Sequence, residues 1–399
     1  MTFELSERLK QMAPSATMAM AAKAKELKAQ GRSIISFTAG EPNFNTPDAA
    51  KRYAVKALDE NFTHYTVTAG AIELREAIAN YYLNHFDLKY NANKEIITGT
   101  GAKQLLFEAM GCLVNPGDEV ILFAPAWVSY YEQIKLFGGV PVVIDTEADN
   151  YIPNPDKLEQ AINNKTKIII LNNPNNPTGA VYPHEVLEKI ARIALKHNLI
   201  IINDEIYERL IYGVNYLPHI LKLVPEARDL VLNINGVSKS YAMTGWRLGY
   251  ALGCEKIIKA LNALQGHLTS NTSSITQWAA LGALSEPEVE PQVEAMRVEF
   301  SKRRDLAVKL LNEIPDLKFA EPKGAFYIFI DINNFLNKKL ANGKIYQDDV
   351  TFCNDILDEK GLGLVPGSAF LSANHVRISY SCSEDDIIEG MKRLKEFLA

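Results

Sequence analysis

The sequence predicts an α/β fold in which helices sandwich a mostly parallel central sheet, with a second, smaller α/β domain beside it. Three observations point there. Short, nearly continuous apolar runs recur through the middle of the chain, and helical patterns separate several of them. Near residue 291 the alternation gives way to one long helix followed by short strands. A chain of 399 residues also exceeds what one compact core usually holds.

Taken in order, "EIITGTGAKQLLFEAM" reads as a strand, a glycine turn and a helix. The runs "EVILFAP" (119–125), "VPVVID" (140–145), "KIIILNNP" (167–174), "LIIINDE" (199–205) and "LVLNING" (230–236) are rich in Ile and Val and do not alternate with polar residues. That is the pattern of strands buried on both faces. Between them, "PHEVLEKIARIALKHN" (183–198) places Val186, Ile190, Ile193 and Ala194 on one helical face, with a proline at its start. From residue 291, "PQVEAMRVEFSKRRDLAVKLLNEI" reads as a long helix with Val293, Met296 and Phe300 at helical spacing, and "GAFYIFIDI" and "VRISYS" read as short strands. The first ~45 residues are expected to pack with this second unit. The expected division is a large domain over 46–290 and a small one made of 1–45 plus 291–399.

Composition narrows the function classes. Hydrophobic residues make up 47% and charged residues 23%, as in an ordinary soluble globular protein. The net charge of −6 argues against a nucleic-acid partner, so any anionic small molecule must meet local cations. Cys112, Cys254, Cys353 and Cys382 lie far apart, and the seven histidines are scattered, which disfavours a disulfide framework or a metal site. The start "MTFELSERLKQMAPSATMAM" does not read as a secretory signal, and no apolar run approaches the ~20 residues needed to span a bilayer. The expectation is a cytoplasmic enzyme of metabolism with no membrane, nucleic-acid or metal partner.

In open α/β sheets, ligands bind beyond the carboxyl ends of the strands. Trp127 follows "EVILFAP", Asn176 lies in "NNPNNPTG", Asp204 and Tyr207 lie in "NDEIY", and Lys239 and Arg247 lie in "NGVSKSYAMTGWR". These strand ends are expected to converge on one cleft. Each residue also has a plain structural reading. "GTGAKQ" lacks the third glycine of a dinucleotide fingerprint and reads as a common strand-to-helix turn. "NNPNNPTG" reads as a turn, Asp204 as a helix cap, Trp127 as core, Lys239 as a surface lysine and Arg247 as a snorkelling side chain. Together they match one chemistry. A lysine amine forms a Schiff base with an aldehyde, and pyridoxal phosphate requires such a lysine, a carboxylate at its ring nitrogen and a cradle for its phosphate. Lys239 meets the first need and Asp204 the second, while Arg247 and the glycine turn meet the third. Tyr207, about one turn beyond Asp204, is in reach of the ring's phenolic oxygen.

The motif "GVSKSYAMTGWRLG" resembles the pyridoxal-phosphate attachment site of class I aminotransferases. "AGEPNFNTP", "NNPNNPTG", "NDEIY" and "VRISYSCSEDD" are similar to other segments of that family in the same order, from about residue 5 to the C-terminus. The branch it resembles is that of bacterial-type aspartate aminotransferases and their prephenate-accepting relatives. The resemblance implies a fold type I, homodimeric enzyme with sites at the subunit interface, acting on amino acids and 2-oxo acids. It implies that Lys239 is the Schiff-base lysine and proton shuttle, that Asp204 pairs with the pyridine nitrogen, and that Tyr207 and Asn176 hydrogen-bond the ring oxygen. Trp127 is implied to stack on the ring and border the substrate. Gly101, Ala102, Ser238 and Arg247, with Lys103 beside them, are implied at the phosphate, and Tyr65 at the phosphate of the neighbouring subunit. The substrate α-carboxylate is assigned to Arg377, Asn176 and the backbone of Gly40; alternation within "VRISYS" leaves Arg377 equally readable as solvent-facing. Thr17 and Lys103 are linked in this branch with a second carboxylate, which favours aspartate, glutamate and their keto acids, with prephenate or aromatic substrates as alternatives. The family's aromatic residue before the stacking tryptophan is Ala126 here, which predicts a wider pocket edge. Cations beside Lys239 are expected to lower its pKa. A pyridoxal-phosphate lyase is the less favoured alternative. A cofactor-binding regulator and a nicotinamide dehydrogenase fit poorly.

Overall fold

The computed structural model describes residues 3–10, 12–213 and 217–399. Of the two expected domain segments, residues 1, 2, 11 and 214–216 lie outside the described residues. Among the described residues thirteen strands run in chain order: β1 (Ile35–Ser36), β2 (Ile96–Gly99), β3 (Glu119–Ala124), β4 (Val140–Asp145), β5 (Thr166–Asn172), β6 (Ile200–Asp204), β7 (Val231–Gly236), β8 (Gly249–Leu252), β9 (Lys318–Phe319), β10 (Tyr327–Asp331), β11 (Leu362–Gly363), β12 (Val365–Pro366) and β13 (His375–Ser379).

Seven of them form the central sheet in the order β2-β8-β7-β6-β5-β3-β4. The pairs β3–β4, β3–β5, β5–β6 and β6–β7 are parallel, as the five Ile/Val-rich runs predict. The inner strands are covered on both faces, with every residue of β7 and all but one of β5 buried, whereas β4, also expected to be buried on both faces, is the edge strand and buries only Ile144. The sheet is mixed rather than purely parallel, because β8 runs antiparallel to both β7 and β2. Its "GYAL" is only four residues long, so no sequence pattern announces it. The helix His184–His197 buries Leu187, Ile190, Ala191, Ile193 and Ala194 and ends on Asn198 at φ 54. Val186, expected on the buried face, is half-buried; Leu187 and Ala191 take its place.

The strand directions bring Gly99, Ala124, Asn172, Asp204 and Gly236 to one edge of the sheet, where β8 begins at Gly249. A second core forms around β12-β13-β10-β9 and the helix Val289–Leu311, with Phe300, Phe326, Ile356 and Leu394 inside it. The N-terminal segment joins this core: β1 pairs with β11, and Phe37 is buried there. At the seam, the N–H of Tyr212 donates to the carbonyl of Lys323 at 2.8 Å, and the N–H of Lys323 donates to that of Gly179 at 2.8 Å. This seam sets β10 and β13 against the sheet edge that carries Asp204.

Candidate active site

The helix Ala102–Leu113 starts at this edge, and no side chain caps it at Gly101. Its first-turn N–H groups and the helix dipole therefore favour an anion. Gly101 sits at φ 80, and a Cβ there would come within 2.6 Å of Arg247 Nη2. The turn packs so tightly on β8 that a Cβ on Gly249 would collide with the Ala102 amide nitrogen. Arg247 donates from Nη1 to the carbonyl of Thr244 at 2.8 Å, which leaves its fork alongside the helix start. Ser238, nine residues before Arg247 in the chain, is buried. The cradle depends on Gly101 having no side chain. Gly101→Ala forces an L-residue into a left-handed backbone and against the guanidinium, a strain of about 1–3 kcal/mol. Affinity for pyridoxal phosphate, measured by equilibrium dialysis, is expected to fall about tenfold or more.

Lys239 follows Ser238, half-buried, and its Nζ donates to the carbonyl of Gly40. Its pKa is lowered to about 8. Desolvation is the main cause; Arg247 and Arg377 push the same way, and Glu41 and Asp204 oppose them. The expected lowering is present, but burial outweighs the neighbouring cations as its source.

Asp204 ends β6 and is 3% exposed. Its two oxygens accept from Tyr130 Oη at 2.6 Å and from the Ile206 N–H at 3.1 Å. Burial raises its pKa to about 6 against those donors and against Lys239. A cationic ring nitrogen placed here would hold the carboxylate ionised, as pyridoxal phosphate requires. Tyr207 lies in the turn after β6, and burial raises its phenol well above the ordinary value, so it remains a proton donor. Its hydroxyl lies 2.9 Å from that of Tyr327. Trp127 starts the helix Val128–Leu136, with Lys103 Nζ 4.8 Å from its ring centroid.

Arg377 is 2% exposed, which excludes the solvent-facing reading. It donates from Nη1 to Asn176 Oδ1 and from Nη2 to the Thr38 carbonyl, each at 3.0 Å. The rings of Tyr327 and Phe370 flank its guanidinium at 4.3 and 5.0 Å. Among the described residues its Nε is buried without a hydrogen-bond partner, and no carboxylate pairs with the guanidinium. A buried cation with a spare donor suits a carboxylate.

Contacts thus bring Lys239, Asp204, Tyr207, Asn176, Arg377, Trp127, Arg247 and the Gly101–Ala102 turn together at one edge of the sheet, and their donors and charges fit pyridoxal phosphate. Thr17 stands half-buried in the first turn of the helix Ala16–Ala29, with no hydrogen bond to this group among the described residues. Tyr65 is 89% exposed, away from its own chain's cluster. Ala126 is 5% exposed, and its N–H donates to the Phe370 carbonyl at 2.9 Å. Sequence reasoning missed Tyr130, Tyr327, Thr38 and Gly249. Only Tyr130 carried a usable signal, lying one helical turn beyond Trp127.

A fold of this type with this site defines an aminotransferase. The chain matches the family model for aminotransferase class I and II over residues 32–394, and it belongs to that family. It is 42% identical over 395 residues to an aspartate aminotransferase of Bacillus sp. (strain YM-2), with 99% of each chain covered. It is 40% identical over 397 residues to an aspartate/prephenate aminotransferase of Thermus thermophilus, covering 99% of this chain and 98% of that one. The solved aspartate aminotransferase of Thermus thermophilus with maleate superposes with a TM-score of 0.93 at 39% identity, covering 99% of this chain and 100% of that one. The one from Rhizobium meliloti gives 0.94 at 36% identity, covering 100% of this chain and 99% of that one.

Proposed function

We propose that this chain transfers the amino group reversibly between L-aspartate and 2-oxoglutarate, giving oxaloacetate and L-glutamate, with pyridoxal phosphate as cofactor. The observation that carries the reading is a buried, spare-donor guanidinium, Arg377, in one cleft with the low-pKa amine of Lys239 and the buried carboxylate of Asp204. When bound, pyridoxal phosphate supplies an electron sink that makes the α-proton of an amino acid removable.

The chain's own groups do the rest. Asp204 would hold a proton on the ring nitrogen and keep the opposite charge beside it. Tyr207 and the Asn176 amide would serve the ring oxygen, Trp127 would cover a ring face, and Gly101, Ala102, Ser238 and Arg247 would take the phosphate. Arg377 and Asn176, with the Gly40 backbone, orient the α-carboxylate so that the α-proton faces Lys239. The neutral Lys239 amine would take that proton as a base and give it back as an acid, and a pKa near neutrality suits both roles. Lys103 and Thr17 are assigned the distal carboxylate, which also suits prephenate as an acceptor. The relatives named for both aspartate and prephenate support that second reading. We further propose a homodimer in which Tyr65 reaches the partner's phosphate, and a large domain over 46–290 against a small one of 1–45 plus 291–399.

Two measurements test this. L-Aspartate added without an acceptor is expected to shift the visible absorbance of the cofactor-loaded protein and to yield oxaloacetate; a band that aspartate leaves unchanged would overturn the dicarboxylate assignment. Capture of pyridoxal phosphate needs the unprotonated amine. Its rate in the cofactor-free protein is therefore expected to climb as pH rises through about 8 and then level off. A rate still climbing toward the ordinary lysine range would remove the desolvation argument.

A further inference from the structure

We propose that Tyr327 is a positioning residue that ties carboxylate capture at Arg377 to the proton donated by Tyr207; this rests on the cofactor reading above. Tyr327 opens β10, is 1% exposed, and stands on the strand paired with the one that carries Arg377. It touches three parts of the site at once. Its ring face lies 4.3 Å from the Arg377 guanidinium, and its hydroxyl lies 2.9 Å from that of Tyr207. A Cβ built on Gly40 would come 3.1 Å from the same hydroxyl, and the carbonyl of Gly40 accepts from Lys239.

The direction of the shared hydrogen bond follows from proton counting. A phenol has one proton. Once Tyr207 spends its own on the cofactor's ring oxygen, its oxygen can only accept, so Tyr327 must donate. A hydroxyl that accepts a hydrogen bond becomes a stronger donor in turn. Tyr327 thereby strengthens the Tyr207 bond, which favours the anionic ring oxygen.

Arg377 acts on the same pair. Its charge lowers both phenols against the rise that burial imposes. A carboxylate bound at Arg377 offsets that charge and makes Tyr327 a weaker donor. Asp204 also acts on Tyr207, and Lys239 is held at the carbonyl of Gly40, the residue beside the Tyr327 hydroxyl. Among these, Arg377 is the group whose charge is seated against the Tyr327 ring.

The test is a pH titration of the visible absorbance of the cofactor-loaded protein, with and without maleate, a non-reacting dicarboxylate. It covers the unsubstituted protein, Tyr327→Phe, Tyr207→Phe and the double variant. Tyr327→Phe keeps the ring and its packing and removes only the hydroxyl. It is expected to raise the spectral midpoint by about half a pH unit or more, and to shrink the further rise that maleate causes. In the Tyr207→Phe background it is expected to add no shift. A midpoint unchanged in Tyr327→Phe, or a shift that persists without the Tyr207 hydroxyl, overturns the coupling alone. An unsubstituted protein that binds no pyridoxal phosphate overturns the cofactor reading and the coupling with it.

Discussion

Lys239→Ala is expected to lower the transamination rate by at least about 10⁴-fold. The substitution removes the amine that anchors the cofactor and moves the α-proton, and none of the described neighbours can replace it. Asp204 is assigned to the ring nitrogen and Arg247 to the phosphate, so neither is free to take its place. The fold is expected to survive. The pKa of Lys239 is about 8 in the folded chain and in the ordinary lysine range when unfolded, so the unfolded chain binds more protons between those values. Below about pH 8 the charged, desolvated amine weighs against folding, and this penalty eases as pH rises above it. The cofactor-free Lys239→Ala protein is therefore expected to melt no lower than the parent at neutral pH. Single-turnover kinetics with L-aspartate and a thermal melt check both halves. Near-normal turnover would falsify the assigned role, and a collapsed melt would mean that Lys239 carries structure as well.

Arg377→Gln is expected to lower kcat/KM for L-aspartate by about 30-fold to several thousandfold, the loss when one partner of a buried charge pair is removed. Glutamine keeps hydrogen-bonding capacity toward Asn176 and Thr38 but loses the charge and the fork that suit a carboxylate. Arg377→Lys restores the charge without the fork and is expected to recover only part of the loss. Both effects should fall more on KM than on kcat if Arg377 holds the carboxylate equally in ground and transition states. Steady-state kinetics with varied aspartate separate the two. A kcat/KM within twofold of the parent would move the carboxylate seat elsewhere, and the partnerless Nε of Arg377 would need another occupant.

The legible parts of the site share a cause. Lys239, Asp204, Asn176 and Arg247 follow long runs of Ile and Val, and such runs at strand length announce buried parallel strands without any tertiary knowledge. The polar residues just after them then belong to one sheet edge. What escaped sequence reasoning lies where geometry, not local pattern, decides. Tyr130 reaches Asp204 only because the helix after Trp127 starts at the same sheet edge where β6 ends. Tyr327 reaches Tyr207 only because the seam at Tyr212 and Lys323 brings β10 against the sheet edge.

The sequence by itself determined the layered α/β plan, the strand-end residues and their match to one cofactor, because periodicity and residue chemistry are local properties. Tertiary structure alone decided that β8 runs backwards, that Gly249 makes room for the Gly101–Ala102 turn, and that Arg377 is buried rather than solvent-facing. It also decided that desolvation, more than neighbouring cations, brings Lys239 toward neutrality. Each of these depends on what stands opposite a residue in space, and burial sets both the cost of a charge and the strength of the bonds around it.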